Sequence, residues 1–506
     1  MRKKKALLNV FTSLILQLFV VAYGFVVPKV IITSFGSNVN GLVSSITQFL
    51  AYIKFLESGF GPVVKATLYK PIAEKKQEEI KNILKAAERF FRKIAIIFLI
   101  YIAILLVVYP LFINNSFDSL FTISLIIIIS VSTFSEYFFG MTYKLFLNAK
   151  QKMYITSLIQ IGTYALSILL VVLLAKLNCS IQVIKAVTGF VFVLRPLLQN
   201  WYVKRKYHIN LKDADGSYKI KQKWDGLAQH IASVIHTNTD VTVLTFFSTL
   251  AEVSVYSVYS MVVKGIKSLM EAFTNGIAAS FGDMIAKNEA DNLKNKFDIY
   301  EVCYYTITCI IYSCTIVLIV PFISIYTKGV VDADYIRYLF GALIVISEYI
   351  CAVRQPYSML THSAGHFKET RTGAWVEAGL NIIVSIIFVT KYGLIGVAIG
   401  TIVAMLVRTI EFIYHVNKYI LKRNIFLTLK KVFVLVIETL IISFIYNYIT
   451  VVEYSSYFNW IINALIIFAV AVFVVLVING LFYHQQFKMI YSMFSKKIKK
   501  GSGHSE

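Results

Sequence analysis

Ionisable side chains stand inside long apolar runs of this sequence: Lys29, Lys54, Glu57, Glu136, Arg195, Asp240, Lys264, Lys267, Glu271, Arg337, Glu348, Arg354, Glu377, Arg408, Glu411 and Glu438. Near the centre of a bilayer each costs at least ~2.5–3.5 kcal/mol, so such residues face a bundle interior or a wet cavity. Spacing sorts them. Lys267 and Glu271 are four apart, Lys54 and Glu57 three, Arg408 and Glu411 three, so each pair can neutralise itself along one helix face. Lys29, Arg195, Lys264 and Arg354 have no acidic residue within one turn of their own helix. With Lys54 and Arg408 they form a cationic set, which suits an anionic substrate. Arginine grips phosphate through two parallel bonds, and lysine offers a point charge.

Two polar stripes carry the rest of the chemistry. Tyr256, Ser260, Lys264, Lys267 and Glu271 recur at spacings of three and four and so share one helical face. Lys264 is the cavity candidate on that face. Gln229, Ser233, His236, Thr237 and Asp240 form a second such face. His236 and Asp240 are four apart, which makes them either packing residues or a proton- or cation-coupling pair. Asp240 alone could also serve as counter-ion to the cavity lysines. Glu136 and Glu348 occupy equivalent places and read as residues that tie the interior of each lobe.

Nothing in the pattern points to an enzyme. There is no phosphate-binding glycine loop, no dinucleotide fingerprint, no nucleophile elbow and no metal-ligand spacing, so no cofactor or metal is expected. The five cysteines, Cys179, Cys303, Cys309, Cys314 and Cys351, include no CxxC pair and read as small buried apolar residues.

The elements that must position these residues are membrane helices. The chain has 506 residues, 58% hydrophobic and only 15% charged, against about 45–50% and 25% in a soluble domain. A crossing needs roughly 20 apolar residues. Fourteen runs qualify, at about 7–34, 41–69, 91–113, 118–144, 153–176, 180–203, 226–248, 252–286, 298–326, 333–361, 369–391, 393–417, 430–450 and 458–484. Of the 50 lysines and arginines, 37 lie at the termini and in alternate loops, and only 3 in the opposite loops. The positive-inside rule therefore places both termini and the Lys204–Lys223 loop in the cytoplasm, with an even number of crossings. It also accounts for the net charge of +23 through topology and contact with anionic lipid. The basic runs lack interleaved aromatics and a folded basic domain, so no nucleic-acid role is expected. Met1–Lys5 and the run after it resemble a signal peptide but continue too long for one, and so read as an uncleaved first span. Gly501–Glu506 reads as an appended tail.

The chain also repeats itself. Ser135-Glu136-Tyr137 recurs as Ser347-Glu348-Tyr349 at an offset of 212, Tyr109-Pro110-Leu111-Phe112 as Val320-Pro321-Phe322 at 211, and Val193-Leu194-Arg195 as Leu406-Val407-Arg408 at 213. Three matches in order, at equivalent places, indicate one six-helix unit written twice. The expected architecture is an all-α polytopic membrane protein with 14 transmembrane helices. Residues 1–210 form an N-lobe, 211–425 a C-lobe in parallel repeat, 426–490 helices 13 and 14, and 491–506 a basic tail. Two parallel lobes frame a central cavity that rocking opens to alternate sides. The competing structural reading is a membrane scaffold with a duplicated fold.

The six-plus-six-plus-two layout and the intramembrane basic residues resemble the multidrug/oligosaccharidyl-lipid/polysaccharide exporter superfamily. Within it the chain resembles a Wzx-type polysaccharide flippase, through His230-Ile231-Ala232-Ser233-Val234-Ile235-His236-Thr237-Asn238-Thr239-Asp240 and Val255-Tyr256-Ser257-Val258-Tyr259-Ser260-Met261-Val262. The resemblance implies a flippase of the bacterial cytoplasmic membrane. It would move an undecaprenyl-diphosphate-linked oligosaccharide to the outer leaflet, driven by voltage or by a coupling H+ or Na+. Related lipid II flippases line their cavity with basic residues on spans 1, 2 and 8, where this chain has Lys29, Lys54 and Lys264, lysines where those relatives often have arginine. The alternatives are a lipid II flippase of cell-wall synthesis, a cation-coupled multidrug exporter of the same fold, and a non-transporting membrane partner of a polysaccharide polymerase.

Overall fold

A run of apolar residues at membrane depth can satisfy its backbone only by closing every hydrogen bond within itself, which selects helices. The computed structural model describes residues 2–57, 59–113, 116–209, 211, 214, 218, 238–449, 453–486 and 488, and among them there is no strand. The N-terminal helices are α1 (Arg2–Phe35), α2 (Ser37–Ala51), α3 (Lys54–Glu57), α4 (Phe60–Ala73), α5 (Gln77–Ile113), α6 (Ser119–Ser135), α7 (Met141–Ala149), α8 (Met153–Lys176) and α9 (Ile181–Tyr207). Then come α10 (238–247), α11 (Leu250–Ala286), α12 (Ala290–Tyr326), α13 (Tyr338–Ser363), α14 (Arg371–Tyr392), α15 (Leu394–His415), α16 (Phe426–Tyr446) and α17 (Tyr457–Phe482). Ten helical stretches among the described residues are long and apolar enough to cross a membrane. The second span, broken into α2–α4, and α11 and α16, interrupted by lysines and glutamates, are not among them.

The second span departs most from the sequence reading of one continuous run over 41–69. Gly59 adopts φ 87°, a left-handed conformation that ends the short α3 and starts α4. The composition Gly59-Phe60-Gly61-Pro62 is a breaker signal. The third span departs in the other direction. Much of the basic stretch Lys70–Lys93 is helix, because Ile80, Ile83, Leu84 and Ala87 recur on one buried face. In the fourth span a π-turn over Glu136–Gly140 joins α6 to α7.

Packing divides the chain into two units, residues 1–257 with 329–333, and residues 258–328 with 334–506. The division falls inside α11. In the first unit, Phe91, Phe98 and Phe146 are among the largest fully buried side chains. Its polar seam is made of small groups: Asn40 Nδ2 donates to Ser254 Oγ at 2.8 Å, Ser45 and Thr245 hydroxyls meet at 2.7 Å, and Tyr109 donates to Ser45 at 2.6 Å. Gly36 at φ 87° turns α1 into α2. There Asp332 accepts from the Ser37 amide at 2.6 Å and from its hydroxyl at 2.7 Å, supplying the anion that a helix N-terminus favours. In the second unit, Phe297, Tyr312, Phe340 and Tyr357 are fully buried.

Candidate functional site

In the first unit the charged residues gather around the broken second span and the π-turn. Lys54 is exposed on α3. Glu57, one turn on, accepts a hydrogen bond from the Tyr137 hydroxyl at 2.8 Å. Glu136 opens the π-turn and is ion-paired with Lys144 at 2.8 Å. Lys54 and Arg195 lie within electrostatic reach of Glu136. A π-turn inside an α-helix frequently marks a functional place, and here it bounds a pocket of about 100 Å³ lined by Glu136, Lys144, Gln160, Arg195 and Gln199 among others. Pro196 of α9 sits against Gly140, where an added Cβ would come within 2.7 Å of the proline ring.

Arg195 finds its partners on α8 and on its own helix. Its guanidinium lies 4.1 Å from the ring centres of both Tyr164 and Phe192, and its Nε donates to Thr163 Oγ1 at 2.6 Å. Its Nη2 finds no hydrogen-bond partner among the described residues. Lys29 is half-buried on α1. Asp240, on α10, is buried and accepts from the Tyr256 hydroxyl at 2.7 Å. His236, its expected neighbour, lies outside the described residues.

In the second unit Lys264 is exposed on α11. The expected Lys267–Glu271 pair along α11 gives way to a different one: Lys267 pairs with Glu348 of α13 at 3.2 Å. Arg354 likewise finds its acid on a neighbouring helix, donating to Glu377 of α14 at 2.6 Å. Arg408 approaches the other oxygen of Glu377 at 3.5 Å and pairs with Glu411 at 2.5 Å, as its spacing on α15 predicted. It also donates to the Thr370 carbonyl at 2.8 Å and stacks 4.2 Å from Phe412. Arg354 and Arg408 thus belong to one ion network in the interior of the second unit. Spacing along one helix identifies only partners within one turn, whereas these partners come from the neighbouring helix.

A further cluster was not anticipated. Two to three turns into α12 and around the start of α16, Arg423 bonds Glu301 at 2.7 Å and Asp298 at 3.4 Å, and Lys431 bonds Glu301 at 2.7 Å and also Asp298. Tyr357 donates to Glu301. Glu301, Arg423 and Lys431 are buried. Arg423 and Lys431 fall in a basic stretch that charge counting assigns to the membrane surface. The usable signal was the pair Asp298 and Glu301, three apart at the start of an apolar run. Among the described residues no group of three or more His, Cys, Asp or Glu could hold a metal ion.

No family model matches the sequence, and no curated protein sequence matches it significantly. Solved structures do match. The lipid II flippase MurJ in an inward closed conformation aligns with a TM-score of 0.70 at 18% identity, over 95% of this chain and all of that one. An inward-facing multidrug resistance MATE family transporter of the MOP superfamily aligns with a TM-score of 0.61 at 14% identity, over 82% of this chain and 98% of that one. A mutant of the Vibrio cholerae MATE transporter VcmN aligns with a TM-score of 0.54 at 13% identity, over 83% and 98%. At these identities the likeness is one of fold. It is the all-helical fold of these solved structures.

Proposed function

Proceeding from that transporter fold, we propose that the protein is a flippase for an undecaprenyl-diphosphate-linked oligosaccharide. It works by alternating access in the bacterial cytoplasmic membrane and supplies surface polysaccharide synthesis, with a polysaccharide polymerase complex as downstream partner. The observation that carries this reading is the exposure of two lysines within runs that the sequence reads as membrane spans. Lys264 stands 14 residues into the 37-residue α11, and Lys54 stands at the break of the second span. An exposed ammonium within such a run calls for a wet face, and a discontinuous helix is where transporters place their binding groups. Lys264 binds the diphosphate, helped by Lys29 and Lys54. Arg195, Arg354 and Arg408 act one step back, holding helices in place through the stacking and ion pairs described above. Asp240 is the coupling or counter-ion residue.

The physics of the cargo fits. A sugar-diphosphate head cannot cross hydrocarbon, while the polyprenyl tail need not leave it. Two negative charges moving outward across a membrane that is negative inside gain about 4–5 kcal/mol per 100 mV, so voltage alone can drive export. We infer too that the chain is a duplicated six-helix unit with both termini in the cytoplasm. What supports the repeat is that both arginines reach from one helix to the helix before it: Arg195 Nε to the Thr163 hydroxyl on α8, and Arg408 Nε towards the Glu377 carboxylate on α14.

The likeness to a lipid II flippase favours a second reading, in which the head carries the cell-wall disaccharide-peptide. One experiment separates the two. The full-length protein in proteoliposomes is given fluorescent undecaprenyl-diphosphate carriers bearing either a plain oligosaccharide or the lipid II head. Outward movement of the oligosaccharide carrier supports the first reading. Movement of lipid II alone supports the second, and movement of neither sinks both.

A further inference from the structure

Glu438 is a further buried carboxyl of the second unit. It sits twelve residues into α16, is 2% exposed, and its Oε1 finds no hydrogen-bond partner among the described residues. Beside it lies a cavity of about 10 Å³, lined by Glu438, Lys431, Tyr305, Asn479 and Tyr483 with apolar neighbours. That is the size that admits one water. The Tyr483 hydroxyl is also without a partner among the described residues. A water there would have two polar groups to bridge.

The charges around it bear on the state of this carboxyl. The nearest cation lining the cavity is Lys431. Lys431 and Arg423 are already matched by Asp298 and Glu301, two cations against two carboxylates. The other titratable groups facing Glu438 are Tyr305 and Cys309 from α12, Tyr349 from α13, and Tyr483. None of these supplies a positive charge. Among the described residues no unmatched cation faces Glu438, and a buried anion without one is expensive enough that such a group takes a proton instead.

We propose that Glu438 is a proton-binding site of the second unit, and that the Asp298–Lys431–Glu301 cluster with the cavity beside it is its route to the cytoplasm. Asp298 is the outer end of that route, 27% exposed at its side chain and in contact with Lys431, which lines the cavity on its inner side. Loading is the transfer of one proton from water at the cytoplasmic face to the Glu438 carboxylate, and release is the reverse. Emptying the site leaves a negative charge packed against α12, which pushes α16 from that helix or draws a cation in. A coupling role in transport rests on the flippase reading; the proton site itself does not.

Infrared spectra of the purified full-length protein test the site. At neutral pH the wild type should show the carbonyl band of a protonated carboxylic acid that shifts in D2O. Glu438→Gln should lose that band while melting at the wild-type temperature, because the amide replaces a neutral acid of the same shape. An unchanged band in Glu438→Gln, or a large drop in melting temperature of the kind expected when an ionised partner of Lys431 is removed, would overturn the proposal. Transport under an imposed pH gradient then tests coupling. The wild-type rate should follow the gradient, Glu438→Asp should follow it in part, and Glu438→Gln should be indifferent to it. Gradient dependence retained in Glu438→Gln contradicts the coupling role. A protein that shows the band but moves no lipid-linked oligosaccharide contradicts the flippase reading and leaves the proton site standing.

Discussion

Lys267 of α11 is ion-paired with Glu348 of α13 at 3.2 Å, and these residues stand 213 and 212 positions after Lys54 and Glu136, which face each other electrostatically in the first unit. In the first unit Lys144 pairs with Glu136 at 2.8 Å, and Lys54 is exposed. Lys267 reads as a structural residue held by its pair with Glu348.

Removing one member of the Lys267–Glu348 pair should destabilise the protein. The side chains are 33% and 13% exposed, so the cost falls below that of a fully buried pair, at about 1–3 kcal/mol. Lys267→Met should lower the melting temperature in detergent, and adding Glu348→Met should restore much of it. If the double variant is as unstable as the sum of the two singles, Lys267 and Glu348 do not interact.

Glu377 serves two arginines, whereas Glu411, with a 30% exposed side chain, serves one. Glu377→Gln leaves buried guanidinium charge uncompensated and should cost about 3–5 kcal/mol. Glu411→Gln should cost about 1 kcal/mol. Size-exclusion profiles of the solubilised variants provide the comparison: Glu377→Gln should aggregate or fail to accumulate, and Glu411→Gln should not.

Arg195→Lys keeps the charge but loses the planar group that lies against Tyr164 and Phe192 and bonds Thr163. Each ring contact contributes about 0.5–2 kcal/mol, and lysine does not reproduce a stacked guanidinium. Thermal unfolding should show a clear loss for Arg195→Lys. Equal stability of the two proteins would mean the stacking contributes nothing.

Gly41 marks where α2 meets the start of α11. A Cβ there would fall 1.8 Å from the Leu250 carbonyl oxygen, while one at Gly162 meets nothing within 4 Å. Gly41→Ala should abolish accumulation of folded protein. Gly162→Ala should accumulate normally and gain up to about 1 kcal/mol from higher helix propensity. Membrane yields of the two variants decide it.

The sequence discloses the helices because a 20-residue apolar run has little alternative in lipid. It also discloses Arg408–Glu411, because a three-residue spacing on one helix is enough to bring them together. It does not disclose Arg354–Glu377 or Lys267–Glu348, because those contacts depend on which helices are neighbours and how each is rotated. Spacing even misleads at Lys267, where Glu271 offers a local partner that the structure passes over. Arg423 and Lys431 were hidden for another reason: their count contributes correctly to topology, yet their side chains turn inward to meet Glu301. The break in the second span was legible in Gly59-Phe60-Gly61-Pro62, but the apolar residues on either side mask it.

Lys264 offers the most direct test of the central claim. Lys264→Ala and Lys264→Arg are expressed in cells lacking the native protein, their membrane levels are matched, and surface polysaccharide is measured. A charge-assisted bond to the diphosphate is worth about 1.5–3 kcal/mol, so Lys264→Ala should lower export roughly ten- to a hundredfold at that step. Lys264→Arg should keep part of it. Wild-type export by a normally inserted Lys264→Ala would contradict the account.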